Sequence, residues 1–136
     1  RVTRMRSCHR IVEVGIVPRQ EMPRFWWQVH VAAVPSVGSE AFGLVALEAM
    51  ACGRPIVGSA VGALPEVVGD AGILVQPDDP AALAKALVEL LSDMRRRRDL
   101  GTKAAARAGM FSPEKRAQRL VELVREVARG ANLSAG

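Results

Sequence analysis

The sequence predicts an α/β fold built on a parallel sheet. Apolar runs of strand length, Ile11 to Val17, Val29 to Pro35, Ile56 to Ser59 and Ile73 to Val75, alternate with helical stretches. Those runs are predominantly apolar, as strands buried on both faces are, and helices between such strands imply right-handed βαβ crossovers. The 136 residues form one domain, long enough to bury roughly two-thirds of the surface of the unfolded chain.

Each element has its own justification. Ile11 to Val17 (IVEVGIV) reads as the first strand. Pro23 to Gln28 reads as a short helix, opened by proline and carrying Phe25, Trp26 and Trp27. These aromatics are expected in core or domain-interface packing. Val29 to Pro35 is the second strand, with His30 inside it as a packed or edge histidine. Phe42 to Cys52 is a helix whose stripe is Leu44, Leu47 and Ala51, stopped by Gly53. Ile56 to Ser59 and Ile73 to Val75 complete about four strands. Asp79 and Pro80 form an N-cap and first-turn pair for a helix over 81–91, with apolar positions 83, 87, 90 and 91. Gly101 and Gly109 punctuate a middle helix. Ser112-Pro113 opens a last one, with Ala117, Leu120, Leu123, Val124 and Val127 on one packed face. Residues 130–136 read as a frayed tail.

Composition narrows the function classes. Hydrophobic residues at 49% and charged residues at 24% exclude a disordered chain, and no apolar run reaches the roughly 18 residues of a membrane span. The first ten residues are basic but lack the apolar stretch of a secretory signal. Position 1 is not Met, so a processed chain or part of a longer one is expected. Cys8 and Cys52 form no CxxC pair; between a single long-range disulfide and two free thiols, the second is the favoured expectation and points to the cytoplasm. The net charge is +5, and 16 of the 19 basic residues are Arg. That balance favours anionic partners such as phosphorylated ligands, nucleic acid or a membrane surface. The run Arg95 to Arg98 has no interleaved aromatics, so it reads as a solvated helix face rather than a nucleic-acid surface.

Ligands of parallel sheets bind beyond the carboxyl ends of the strands. The segment there is Pro35-Ser36-Val37-Gly38-Ser39-Glu40-Ala41-Phe42-Gly43, running into the helix that carries Glu48. A strand end, a small-residue loop and a helix N-terminus make an anion site, and a diphosphate suits it. The flanking carboxylates repel phosphate but accept hydroxyl hydrogen bonds. Carboxylate, helix end, carboxylate therefore matches hydroxyl, phosphate, hydroxyl, the layout of a nucleotide sugar.

Glu40 and Glu48, with seven residues between them in SEAFGLVALEAMACGRPIV, resemble the Glu-x7-Glu signature of retaining glycosyltransferases of family 4. VEVGIV, VHVAAVPS, SAVGALPEVV and GILVQPDDPAALAKALVELLSD are similar to that family's flanking segments, in order, from about residue 9 to residue 129. The resemblance implies the two-domain GT-B architecture. Residues 1–129 would be the C-terminal, donor-binding part of a Rossmann-like domain.

The family's pattern assigns roles by position. Glu40 contacts hydroxyls of the donor sugar and is the catalytic candidate. The backbone amides of Phe42, Gly43, Leu44 and Val45 hold sugar and pyrophosphate. Glu48 binds the ribose, and the base lies near Ile16 and Val17. No metal or other cofactor is implied. Two departures stand out: Ala63 replaces a common second glycine, and Pro113 replaces a common Trp. Glu66 is equally readable as a helix cap or a ligand contact. Arg4, Arg6, Arg10 and His9 have no assigned place. The implied function is sugar transfer from a nucleotide-diphosphate donor to a carbohydrate, lipid or other hydroxyl acceptor. That acceptor would be held mainly by an N-terminal domain outside this chain. Peripheral membrane attachment is compatible with this. The alternatives are a non-catalytic nucleotide-binding fragment and, less favoured, a basic nucleic-acid-binding protein.

Overall fold

The structure is a computed structural model that describes residues 12–38, 40–112, 114–115, 117–118, 121–122 and 124–126. Three strands, β1 (Ala32–Val34), β2 (Ile56–Ser59) and β3 (Gly72–Val75), form a parallel sheet in the order β1-β2-β3. The registers pair Ala33 with Val57 and Val57 with Ile73. Around the sheet lie helices α1 (Met22–Trp27), α2 (Leu44–Ala51), α3 (Leu64–Val68), α4 (Pro80–Ser92) and α5 (Met94–Ala108).

β2 is buried along its whole length because it is paired on both edges and covered on both faces. Successive side chains of a strand point to opposite faces. Ile56 joins Val34, Met50, Leu64, Val68 and Ala104 in the larger core, while Val57 joins Ala86 and Leu90 of α4 in the smaller one. Helices therefore cover both faces of the sheet. Complete burial of Ile56 or Leu90 stabilises by about 1.5–3 kcal/mol each.

Several sequence-based expectations hold. The strand over 56–59 is found as read, and β3 begins one residue early. Asp79 caps α4 by accepting from the Ala82 N–H at 2.8 Å. The helix read over 23–28 is α1, preceded by a 3-10 turn at Arg19–Glu21. Trp26 enters the core and packs edge-on against Phe25 at 5.1 Å, whereas Trp27 is exposed. Ser112 Oγ accepts from the Lys115 N–H at 3.3 Å, the cap expected of the last helix.

Other expectations are corrected. Residues 12–17 form no strand, so the described sheet has three strands rather than four; Val12, Val14 and Ile16 are exposed and lie on no sheet edge. The strand read over 29–35 shortens to Ala32–Val34 because the Val29 N–H closes the end of α1 on the Trp26 carbonyl. His30 consequently precedes the strand and is exposed. α2 starts at Leu44, two residues late, because Gly43 has φ +70° and cannot continue a right-handed helix. Its buried face is Ala46, Ala49 and Met50; Leu44 and Ala51 of the expected stripe are exposed. The alanines of that face leave room for α5, which packs against α2, while Met50 fills the core beside them. In the last helix, Ala117 and Val124 are exposed, and Leu120, Leu123 and Val127 lie outside the described residues, as do Cys8 and 130–136.

Arginines of α5 bind the ends of other helices. Arg97 donates to the Leu91 carbonyl at 2.7 Å, capping α4. Arg107 donates to the Val67 carbonyl at 2.7 Å and to that of Glu66, capping α3. Cations belong at the carbonyl ends of helices. Arg96 pairs with Glu89 at 3.8 Å on the surface. The run Arg95 to Arg98 is thus partly structural rather than wholly solvated.

Gly101 does not break the middle helix; it lies buried inside α5. A Cβ there would come within 2.5 Å of the Gly53 carbonyl oxygen. Gly101→Ala adds helix propensity of about 1 kcal/mol but overpacks a backbone contact costing about 1–3 kcal/mol. The expected outcome is a net loss of up to about 2 kcal/mol in urea denaturation. Stabilisation by this substitution would mean that α5 does not press on the Gly53 turn.

Candidate functional site

Because all three strands are parallel, the segments following Val34, Ser59 and Val75 leave the same edge of the sheet. The first carries Glu40. The second is the turn 60–63. The third runs through Asp78, the only non-glycine residue with positive φ (+57°) among those described, into the Asp79 cap of α4. A crevice of about 160 Å³ opens at this end of the sheet, lined by Pro35, Val37, Ser59, Val75, Asp78 and Leu83 among others, with Glu40 and the turn 60–63 outside its lining.

Glu40 is held at three points. Its carbonyl accepts from the Ala63 N–H at 2.9 Å. Its carboxylate accepts from the Gly43 N–H at 3.1 Å through Oε1 and from Ser36 Oγ at 3.2 Å through Oε2. Gly43 adopts its left-handed conformation directly before α2, and a Cβ there would meet Leu64 Cδ2 at 3.0 Å. The first intrahelical bond of α2 is the Leu47 N–H to the Gly43 carbonyl at 2.9 Å. The N–H groups of Leu44, Val45 and Ala46 therefore precede the hydrogen-bonded ladder and supply its positive end. Leu44 and Val45 are 60% and 54% exposed, so this helix end faces solvent with apolar side chains around it.

Glu48 is exposed on α2, four residues beyond Leu44. Cys52, at the far end of α2, is a free thiol. Burial pushes it above the usual thiol range; Arg54 opposes that and the Glu48 charge adds to it. Phe42 is half-buried just ahead of Gly43. The sheet edge thus brings together Glu40, Phe42, Gly43, Leu44 and Val45, with Glu48 further along the same helix. Val17 instead lines a separate cavity of about 350 Å³ against α1, with Phe25 and Val29, and Ile16 is 98% exposed. Glu66 neither caps α3 with its side chain nor lines the crevice; it is exposed in the first turn of that helix. A larger groove of about 780 Å³ lies at the opposite edge of the sheet, beside His30, Arg54 and Arg97. Arg54 is engaged with the Val29 carbonyl at 3.1 Å and Arg97 with α4, while Arg98 is exposed; the opposite end, where parallel sheets bind their ligands, is the better candidate.

Sequence reading missed three participants: Ser36, Gly62 and Asp78. The replacement of a common glycine by Ala63 proves harmless, because Ala63 is right-handed at φ −81° and contributes only its N–H. The position that demands glycine is Gly62, with φ +51°. Among the described residues no cluster of His, Cys, Asp or Glu could hold a metal ion, and no helix is long and apolar enough to cross a membrane.

Residues 2–93 match the family model described as glycosyl transferases group 1. The chain belongs to that family. It is 42% identical over 112 residues to the D-inositol 3-phosphate glycosyltransferase of Corynebacterium urealyticum, covering 81% of this chain and 26% of that one. It is 40% identical to the O-antigen chain mannosyltransferase B of Escherichia coli over 74% of this chain and 26% of that one. Among solved structures it is similar to sucrose-phosphate synthase of Thermosynechococcus elongatus, with TM-score 0.75, 38% identity, and coverage of 86% and 30%. It is also similar to Anabaena HepE in complex with UDP-glucose, with TM-score 0.70, 27% identity, and coverage of 78% and 30%. These neighbours share the GT-B architecture, so the expected α/β, Rossmann-like class holds for this group 1 glycosyltransferase chain. The chain spans about a quarter of the length of the curated relatives it matches.

The seat of Glu40 in this family member depends on Gly62. A Cβ there would overlap the Glu40 carbonyl oxygen and lie 2.7 Å from its nitrogen. Neither backbone atom can yield as a flexible side chain would. Gly62→Ala should cost about 1–3 kcal/mol in chemical denaturation, from left-handed strain plus overlap. It should also speed hydrogen exchange at the Ala63 amide. Unchanged stability and exchange would show that the turn is not seated on Glu40.

Proposed function

We propose that this chain is the donor-binding part of a retaining glycosyltransferase of family 4. The reading is that residues 1–129 belong to the nucleotide-sugar-binding domain and 130–136 form its tail. The observation that carries it is the exposed N-terminal end of α2, set beside a held carboxylate at the carboxyl edge of a parallel sheet. Support also comes from HepE, a structural neighbour solved with UDP and with UDP-glucose.

In this reading the donor sugar and diphosphate lie against the amides of Phe42, Leu44 and Val45; the Gly43 N–H, expected to join them, donates to Glu40 Oε1 instead and holds the carboxylate. Glu40 takes hydroxyls of the sugar and Glu48 takes the ribose. The base is assigned to the neighbourhood of Ile16 and Val17. The bond between the anomeric carbon and the diphosphate oxygen breaks, and the new bond forms from the acceptor oxygen on the same face. The acceptor's proton leaves with the departing phosphate. Charge building on the diphosphate is met by fixed N–H dipoles that need no reorganisation, the largest source of rate in many enzymes. The reading assigns that task to the amides and calls for no metal. The hydroxyl acceptor, whether carbohydrate or lipid, is assigned to a further domain, and the whole enzyme to the cytoplasm with peripheral membrane contact.

A second reading, nucleotide binding without transfer, applies to the 136 residues alone, because they span about a quarter of the curated relatives' length. Without a surface that holds the acceptor hydroxyl near the anomeric carbon, the proximity advantage is lost.

Three measurements test these readings. Glu48→Ala in the full-length enzyme should weaken nucleoside-diphosphate binding by about 1.5–3 kcal/mol in calorimetry, the worth of hydrogen bonds to a charged group. Unchanged affinity would remove Glu48 as the ribose ligand. Glu40→Gln should lower transfer rate far more than it weakens binding of the bare nucleoside diphosphate; equal losses would make Glu40 a loop-shaping residue only. The isolated 136-residue chain should transfer no sugar above its own Glu40→Gln control, and any such transfer would refute the fragment reading.

A further inference from the structure

We infer that Ser36 is a positioning residue for the donor sugar, acting through Glu40. The inference rests on the donor-site reading and deepens it. An ionised carboxylate offers about four acceptor directions, two on each oxygen. Here one direction on Oε1 is filled by the Gly43 N–H at 3.1 Å and one on Oε2 by Ser36 Oγ at 3.2 Å. Among the described residues that leaves one open direction on each oxygen. Two acceptors side by side on one rigid plane fit two hydroxyls on neighbouring ring carbons, a vicinal diol of the sugar.

The two holds differ in kind. The Gly43 N–H is backbone, fixed by the turn into α2, and no side-chain substitution removes it. Ser36 Oγ is the adjustable one, and it fixes rotation of the carboxylate about its own axis. Without it the plane can swing on Oε1, and the two open directions no longer point together. The backbone of Glu40 stays in place, because the Ala63 N–H and the close approach of Gly62 hold it independently of Ser36. Ser36 therefore governs the orientation of the carboxylate and not the path of the loop. Its hydroxyl is half-buried next to a half-buried acid, so the bond is only partly in competition with water.

The test uses the full-length enzyme that carries this chain, with UDP and UDP-glucose as probes, and GDP and GDP-mannose as a second pair. Calorimetry gives the ratio of nucleotide-sugar affinity to nucleoside-diphosphate affinity. Ser36→Ala should lower that ratio about tenfold while nucleoside-diphosphate affinity stays within about twofold, the expected loss for one hydrogen bond that orients a charged group. Ser36→Thr, which keeps the hydroxyl, should restore the ratio. In a Glu40→Gln background Ser36→Ala should change it no further, since coupled residues are not additive. An unchanged ratio in Ser36→Ala, or a full additional loss in the Glu40→Gln background, overturns the assignment. Equal weakening of nucleotide and nucleotide sugar also overturns it, by showing that Ser36 only shapes the loop. Failure of the unsubstituted enzyme to bind any of the four probes is a distinct result: it sinks the donor-site reading, and the role of Ser36 falls with it.

Discussion

Parallel pairing to β2 is the constraint on which the rest of this structure depends. β2 is the only described strand with partners on both edges, and both run in its direction. Parallel strands cannot be joined by tight hairpins, so the chain must cross back between them through α2 and α3. Every strand then delivers its following segment to one edge. Glu40 and Gly62 are far apart in sequence, yet their backbones touch for this reason, and Asp78 follows β3 at the same end of the sheet. Hydrophobic burial holds the arrangement, since Ile56 and Val57 anchor cores on opposite faces of the same strand.

The functional edge is held mostly by backbone. Glu40 is fixed by the Ala63 N–H, the Gly43 N–H and the approach of Gly62, and only Ser36 contributes a side chain. Backbone donors lose little entropy on binding and cannot be rearranged by rotamer changes. A site meant to hold a flexible, hydroxyl-rich ligand gains its precision from such a frame.

Much of this was legible in the sequence where local chemistry decides the outcome. Asp79-Pro80 carries its own cap and first turn, and the 56–59 strand is framed by proline and a polar end. The Glu40 to Glu48 segment could be found from its spacing. Elements whose form depends on distant partners were not legible. Residues 12–17 have strand composition, but a strand exists only where another edge accepts it. The buried face of α2 could not be chosen by periodicity, because seven of its eight residues are apolar; α5 made the choice through close packing. Ser36 and Gly62 were overlooked because their importance lies in what they touch. Gly101 looks like punctuation in the sequence for the same reason, although its contact with Gly53 explains it.

The shortness of α3 has a mechanical consequence. Its five residues span about 7.5 Å at 1.5 Å per residue. One end, through Ala63, grips the backbone of Glu40; the other is gripped by the Arg107 guanidinium of α5. The Glu40 loop and α5 are therefore joined through a single short helix, with one set of backbone-directed hydrogen bonds at each of its ends.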